Sequence, residues 1–186
     1  MSYYRVFYLI YKRMAKRMCL DCQDFIKKGE RILDLGCGSG IVAKNFQDFF
    51  QAEVIGADIK DQRVFDVPFK IINGRDLPFP EKSFDTVLIS YVLHHVKDPK
   101  KLLTEAKRVC RNKIIIFEDL PKDFLSEIIC NIHGVSFDGI FKNPSKTSFK
   151  KEECWEKIFN ELGLNIIFKK RIKNFPPKKG LFVLGV

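Results

Sequence analysis

The chain has 186 residues, 46% of them hydrophobic and 30% charged, the balance of a protein that buries one sizeable core. Its uninterrupted apolar stretches, such as Val6 to Tyr11, fall far short of the ~20 residues that a membrane-crossing helix needs. The N-terminus also lacks the apolar core and small-residue cleavage site of a secretory leader, so neither a span nor a leader is expected.

The net charge of +10 is uneven: residues 1–31 carry +5, residues 32–141 carry −2 and residues 142–186 carry +7. Basic ends of this kind call for an anionic partner, whether nucleic acid, an anionic lipid surface or an acidic substrate; the alternative is lysine-rich solubility alone. Six cysteines at irregular spacing fit free thiols in a reducing cytoplasm better than a disulfide framework.

In chain order, Tyr11, Met14, Met18, Cys22 and Phe25 recur every three or four positions, which predicts a helix over 3–27 that Gly29 ends. Cys19 and Cys22 form a C-x-x-C without a second pair, and that spacing also suits one helix face, so no metal site is expected. Arg31–Gly36 reads as a strand, 41–50 as a helix, Glu53–Asp58 and Phe69–Ile72 as the second and third strands, and Ser83–Ser90 as the fourth. A helix follows from Pro99 to Cys110, its first position suited to proline, and Lys113–Glu118 is the fifth strand. Helices over parts of 121–133 and 151–162, then strands at Leu164–Ile172 and Leu181–Val186, complete the pattern.

The runs Val87-Leu88-Ile89 and Ile114-Ile115-Ile116-Phe117 do not alternate, as expected of parallel strands covered on both faces. The alternation of strand and helix predicts a doubly wound, Rossmann-like α/β fold: a mostly parallel seven-stranded sheet, its last strand antiparallel, with helices on both faces. Ligands are expected at the carboxyl ends of the strands where the winding reverses. The whole chain, 1–186, reads as one domain, with 1–28 a helical cap and 29–186 the core. Residues 133–150 are polar and turn-rich, a candidate lid.

Directly after the first strand comes Asp34-Leu35-Gly36-Cys37-Gly38-Ser39-Gly40. Glycines let backbone approach a ligand closely, and the following helix start offers unpaired N–H groups. A dinucleotide loop needs G-x-G-x-x-G, but position 41 is Ile41, so a pyrophosphate is disfavoured. Asp58 ends the second strand and Asp76 follows the third. An acid at the first position can accept both hydroxyls of a ribose, and one at the second can accept from an exocyclic amine. Either aspartate taken singly also fits a solvated turn.

With these residues in place the sequence resembles the class I S-adenosylmethionine-dependent methyltransferases, especially their small single-domain members. The resemblance rests on Ile32 to Gly40, on Gly56-Ala57-Asp58-Ile59, on Gly74-Arg75-Asp76-Leu77-Pro78-Phe79 through Asp85, and on Ser90-Tyr91-Val92-Leu93-His94-His95-Val96. It implies S-adenosylmethionine as cofactor. Gly36, Gly38 and Gly40 would admit its methionyl part, with Asp34 orienting the loop or the amino group, and Cys37 would pack. Asp58 would hold the ribose, Ile59 would lie on the adenine, Asp76 would meet the adenine amine and the Leu77 N–H the ring nitrogen, with Arg75 in the same stretch. Ser90 and Tyr91 would stand near the departing methyl group. His94 and His95 are the candidate general bases, the other reading being cofactor contact or packing.

The resemblance also implies that the segment before the glycine loop folds over the pocket. Residues 2–18 hold five bases and no acid among aromatic and aliphatic residues. They suit an anionic membrane surface, the wall of a pocket for an aromatic or lipid-like acceptor, or packing on the sheet. Lys169, Lys170, Arg171, Lys173, Lys178 and Lys179, with Phe168 and Phe175 nearby, would add affinity for RNA backbone and bases. The expected function is methyl transfer to an oxygen, nitrogen or carbon of a small-molecule or lipid-like acceptor. The alternatives are an RNA methyltransferase, or a non-catalytic methyltransferase-fold binding protein that uses its basic flanks.

Overall fold

The computed structural model describes residues 7–121, 128, 130, 147–172 and 179–186. Helix α1 (Tyr8–Asp21) precedes strand β1 (Arg31–Leu35), helix α2 (Ile41–Phe50), β2 (Glu53–Asp58), β3 (Phe69–Ile71) and β4 (Phe84–Ser90). Helix α3 (Pro99–Val109), β5 (Cys110–Asp119), helix α4 (Glu152–Glu161), β6 (Asn165–Ile172) and β7 (Lys179–Gly185) follow. The sheet order is β3-β2-β1-β4-β5-β7-β6, with β7 antiparallel to both of its neighbours and the other strands parallel to one another. This is the mostly parallel sheet expected. After β3 the chain returns to the far side of β1 to lay down β4, so the winding reverses between β1 and β4 and opens a crevice at their carboxyl ends.

Both sheet faces are covered. Ile114 and Ile116 of β5 join Leu102, Leu103, Trp155, Phe159 and Phe182 on one side. Ile115 and Phe117 join Met18, Cys19, Phe46, Leu181 and Val183 on the other. Burial on both faces is why the β5 run shows no period of two. At α3, Asp98 is the N-cap, its carboxylate accepting the Lys101 N–H at 3.0 Å, with Pro99 in the first turn; both choices favour a helix start at this point.

Two boundaries differ from expectation by three residues or more. The first helix ends at Asp21 rather than running to 27. Cys22 leaves helical geometry (φ −119°), a short 3-10 turn covers Gln23–Phe25, and the Phe25 ring comes to rest 5.0 Å from Phe168. The apolar stripe thus continues onto the sheet by a tighter turn, which helical periodicity alone cannot separate from one more turn of α-helix. Strand β5 starts earlier, at Cys110, because an irregularity in register lets Cys110 pair with Phe84. The helix expected within 121–133 and most of the candidate lid lie outside the described residues.

Candidate functional site

At the end of β1 the chain turns through Gly36, whose N–H donates to the Ala57 carbonyl of β2 at 2.7 Å. Gly36 has φ +79°, and a β-carbon there would lie 2.4 Å from Val92 Cγ2, so only glycine fits. Gly38 and Gly40 also have positive φ, and Gly40 is the N-cap residue of α2. Asp58, ending β2, fastens this loop: its Oδ2 accepts the Gly38 N–H at 2.9 Å and its Oδ1 accepts the Ile59 N–H at 2.7 Å. Cys37 is buried against the sheet, where a β-carbon at Gly56 would sit 2.7 Å from its Sγ. Burial pushes its thiol well above the ordinary range.

Asp34 lies beneath the loop, fully buried, with no hydrogen-bond partner of good geometry for either carboxylate oxygen. Burial pushes its carboxyl up to about 7, the charge of Asp58 adding to the rise and the Ala43 backbone N–H opposing it. Asp58 is raised as well, by burial, against the N–H groups of Gly38, Ile59 and Lys60. Buried carboxylates in want of donors are uncommon and mark sites that a charged or hydrogen-bonding ligand completes.

A cavity of about 450 Å³ opens over the loop, within the range of small-molecule sites. Gly36, Cys37, Gly38, Asp58, Ile59, Ser90, Tyr91, His94 and His95 line it. Phe7, Ile10, Tyr11 and Met14 of the α1 region close one wall. The glycine loop, the second-strand acid, the post-β4 segment and the N-terminal helix thus meet in one place. Asp34 and Gly40 stand behind the cavity wall.

After β3, Ile72 and Gly74 line the cavity, whereas Arg75, Asp76 and Leu77 are not among its lining residues. The Asn73 side chain accepts the N–H groups of Arg75 and Asp76 at 2.8 and 2.9 Å, forming an exposed turn. The Asp76 carboxylate faces Lys101 at 3.3 Å. The Leu77 N–H donates to Glu105 Oε2 at 2.8 Å, while Arg108 holds the Leu77 and Phe79 carbonyls. The Leu77 N–H is therefore taken by Glu105 of α3, while the Asp76 carboxylate, beside Lys101, stays exposed.

The two histidines differ. His94 is buried, its Nδ1 2.7 Å from Glu118 Oε1 and 2.9 Å from Oε2, while its backbone N–H donates to Oε2 at 3.1 Å. An ionised carboxylate only accepts, and with Glu118 in that form Nδ1 is the protonated nitrogen. Burial raises the Glu118 carboxyl, with the His94 charge and hydrogen bond opposing. The His94 ring lies between His95 (centroids 4.1 Å) and Phe149 (4.6 Å). His95 Nδ1 is 3.1 Å from Thr147 Oγ1, and the Ser148 N–H donates to the His94 carbonyl at 2.7 Å. Residues 147–149, the described end of the candidate lid, thus close on the histidines.

Glu118, Asp119 and Lys179 are among the site residues that the sequence motifs did not point to. Glu118 and Asp119 end β5, and Lys179 pairs with Asp119 in the β5–β7 register. The Lys179 ammonium sits 4.6 Å from the centroid of the Tyr91 ring and 3.7 Å from Met14 Sδ. An acid directly after an apolar strand is the signal that marked Asp58, and it marks Glu118 equally. Nothing local marks Lys179, which is one basic residue among several.

A family model for the methyltransferase domain matches residues 33–117. The UbiE ubiquinone/menaquinone biosynthesis C-methyltransferase of Edwardsiella ictaluri is 32% identical over 131 residues, 61% of this chain and 52% of that protein. A SAM-dependent methyltransferase from Archaeoglobus fulgidus superposes with a TM-score of 0.72 over 100% of both chains at 18% identity. The magnesium protoporphyrin IX methyltransferase of Synechocystis, solved with bound SAH, gives 0.69 over 94% of this chain and 83% of that one at 17% identity. The chain spans about half or less of the length of the curated relatives it matches. Sheet order, glycine turn and family match agree: residues 33–117 match the methyltransferase-domain model, and the fold is that of the SAM-dependent methyltransferases on which the chain superposes.

Proposed function

We propose that the chain transfers a methyl group from S-adenosylmethionine to an oxygen, nitrogen or carbon of a small-molecule or lipid-like acceptor. The observation that carries this reading is the convergence of the Gly36–Gly40 turn, Asp58 and Ser90–His95 on the one cavity that α1 walls. The cofactor fits the residues present. Gly36 has no room for a β-carbon, Asp34, buried behind the cavity wall, orients the loop, and Asp58 retains lone pairs for ribose hydroxyls. Exposed Ile59 offers the adenine an apolar face. When bound, S-adenosylmethionine supplies an electrophilic methyl group on a sulfonium.

The protein's tasks are alignment, exclusion of water and removal of a proton from the acceptor. Ser90 and Tyr91 line the cavity between the loop and the histidines. Phe7, Ile10, Tyr11 and Met14 give the acceptor an apolar wall. With Nδ1 turned to Glu118, Nε2 is the ring nitrogen of His94 on the side away from that carboxylate. Glu118 then acts as a positioning residue, fixing the tautomer and favouring the imidazolium. The name of the UbiE relative supports carbon as one acceptor atom.

Calorimetric titration with S-adenosylmethionine and S-adenosylhomocysteine tests the reading. Binding that Gly38→Arg abolishes supports it. Absence of binding to either compound overturns it in favour of a non-catalytic fold.

A further inference from the structure

Helix α1 turns Ala15, Met18 and Cys19 inward. At 100° per residue, Leu9, Arg13, Lys16, Arg17 and Leu20 point away from that side, all of them exposed, while Lys12 lies beside Cys19 at its edge. Leu9 is 77% exposed, and Ile10, beside it, 66%. The helix carries one acid, Asp21, whose side chain is only 3% exposed and is held by Lys170 at 2.8 Å and Arg17 at 3.4 Å. Among the described residues of α1, the outward face therefore presents cations and large aliphatic groups with no exposed carboxylate. A single exposed leucine needs no explanation. Aliphatic groups interleaved with three cations, on the helix that also walls the cavity with Ile10, Tyr11 and Met14, do.

We propose that this face of α1 docks the protein on an anionic bilayer. The inference rests on the methyl-transfer reading and names its acceptor as a lipid-phase molecule, delivered to a cavity mouth held against the headgroups. The cations match the negative surface potential, while Leu9 and Ile10 reach past the headgroups into the acyl boundary. A nucleic acid would engage the cations and leave Leu9 in water, and a soluble acceptor would leave both features unused. No described helix is long and apolar enough to cross a membrane, so the association is peripheral and reversible.

The test is co-sedimentation of the full chain with vesicles of phosphatidylcholine alone and of phosphatidylcholine with phosphatidylglycerol. Two variants accompany it: Arg13→Gln/Lys16→Gln and Leu9→Asn, neither in the cavity wall. Wild type is expected on the anionic vesicles and not on the neutral ones. The charge variant should bind ~25-fold more weakly, about fivefold per cation, and Leu9→Asn roughly tenfold more weakly. No binding to anionic vesicles overturns the proposal. So does full binding by Leu9→Asn together with charge-dependent capture of an RNA oligonucleotide, which marks a general polyanion surface. Calorimetry with S-adenosylhomocysteine runs beside it: retained cofactor binding without vesicle binding rejects the docking alone, and the converse rejects the methyl-transfer reading alone.

Discussion

Glu118 and His94 are joined twice: the carboxylate takes the imidazole through Nδ1 at 2.7 Å and the same residue's backbone N–H at 3.1 Å. Both ends of the contact need an acceptor. Glutamine offers one acceptor and one donor, so Glu118→Gln satisfies either the ring or the backbone and sets an N–H against the other. The expected cost is about 1–3 kcal/mol of stability, the range for an unsatisfied buried group. Long-range proton–nitrogen NMR of the His94 ring should show Nδ1 protonated in the wild type and a mixture of tautomers in the variant. An unchanged ring would remove Glu118 from its positioning role.

Asp34 makes stability depend on pH in a definite direction. Its folded-state value of about 7 lies above the ordinary 3.8, so the folded chain holds this proton more tightly than the unfolded one. The resulting stabilisation is complete below pH ~4 and is lost as pH rises through 7. Between pH 5 and 8 this amounts to roughly 2–3 kcal/mol. Asp34→Asn cannot lose a proton there, so the wild type should weaken relative to the variant as pH rises, measured by denaturant melts at both pH values. Asp58, also raised, adds a slope of the same sign that persists in the variant. A wild-type-to-variant difference independent of pH would refute the assignment.

The architecture was legible because its signals are local. The unbroken apolar runs at Val87–Ile89 and Ile114–Phe117, the glycine turn after β1 and Pro99 at a helix start each state a backbone preference directly. The contacts of the site were less so. Asp76 and Leu77 carry residue types suited to an adenine, yet Glu105 and Arg108, 28 and 31 positions from Leu77, take up that turn. Lys179 reaches Tyr91 and Met14 only because β7 runs antiparallel beside β5. Such pairings depend on sheet order, which no local pattern encodes.

The two aspartates after β2 and β3 should separate in a binding experiment. Asp58 lines the cavity and fastens Gly38, so Asp58→Ala removes charge-assisted hydrogen bonds worth about 1.5–3 kcal/mol and should weaken S-adenosylhomocysteine by more than tenfold. Asp76 is exposed and faces Lys101, so Asp76→Ala should leave affinity within experimental error. Equal losses at both positions would mean that the post-β3 turn moves onto the ligand.

Gly56 and Cys37 lock the glycine loop onto β2, and the lock can be tested without any ligand. A β-carbon at 56 would meet Cys37 Sγ at 2.7 Å and Cys37 Cβ at 3.2 Å. The first distance is a collision and the second a tight contact. Gly56→Ala should therefore cost about 1–3 kcal/mol, as overpacking in a full core does. Cys37→Ala alone opens a small void and costs less. In the double variant the sulfur is gone and only the 3.2 Å approach remains, so the loss should be smaller than the sum of the two. That coupling, on the order of 1 kcal/mol, is readable by urea denaturation. Strict additivity would mean that the loop shifts away from β2 when crowded, and then Gly56→Ala should instead weaken cofactor binding through Gly38 and Asp58.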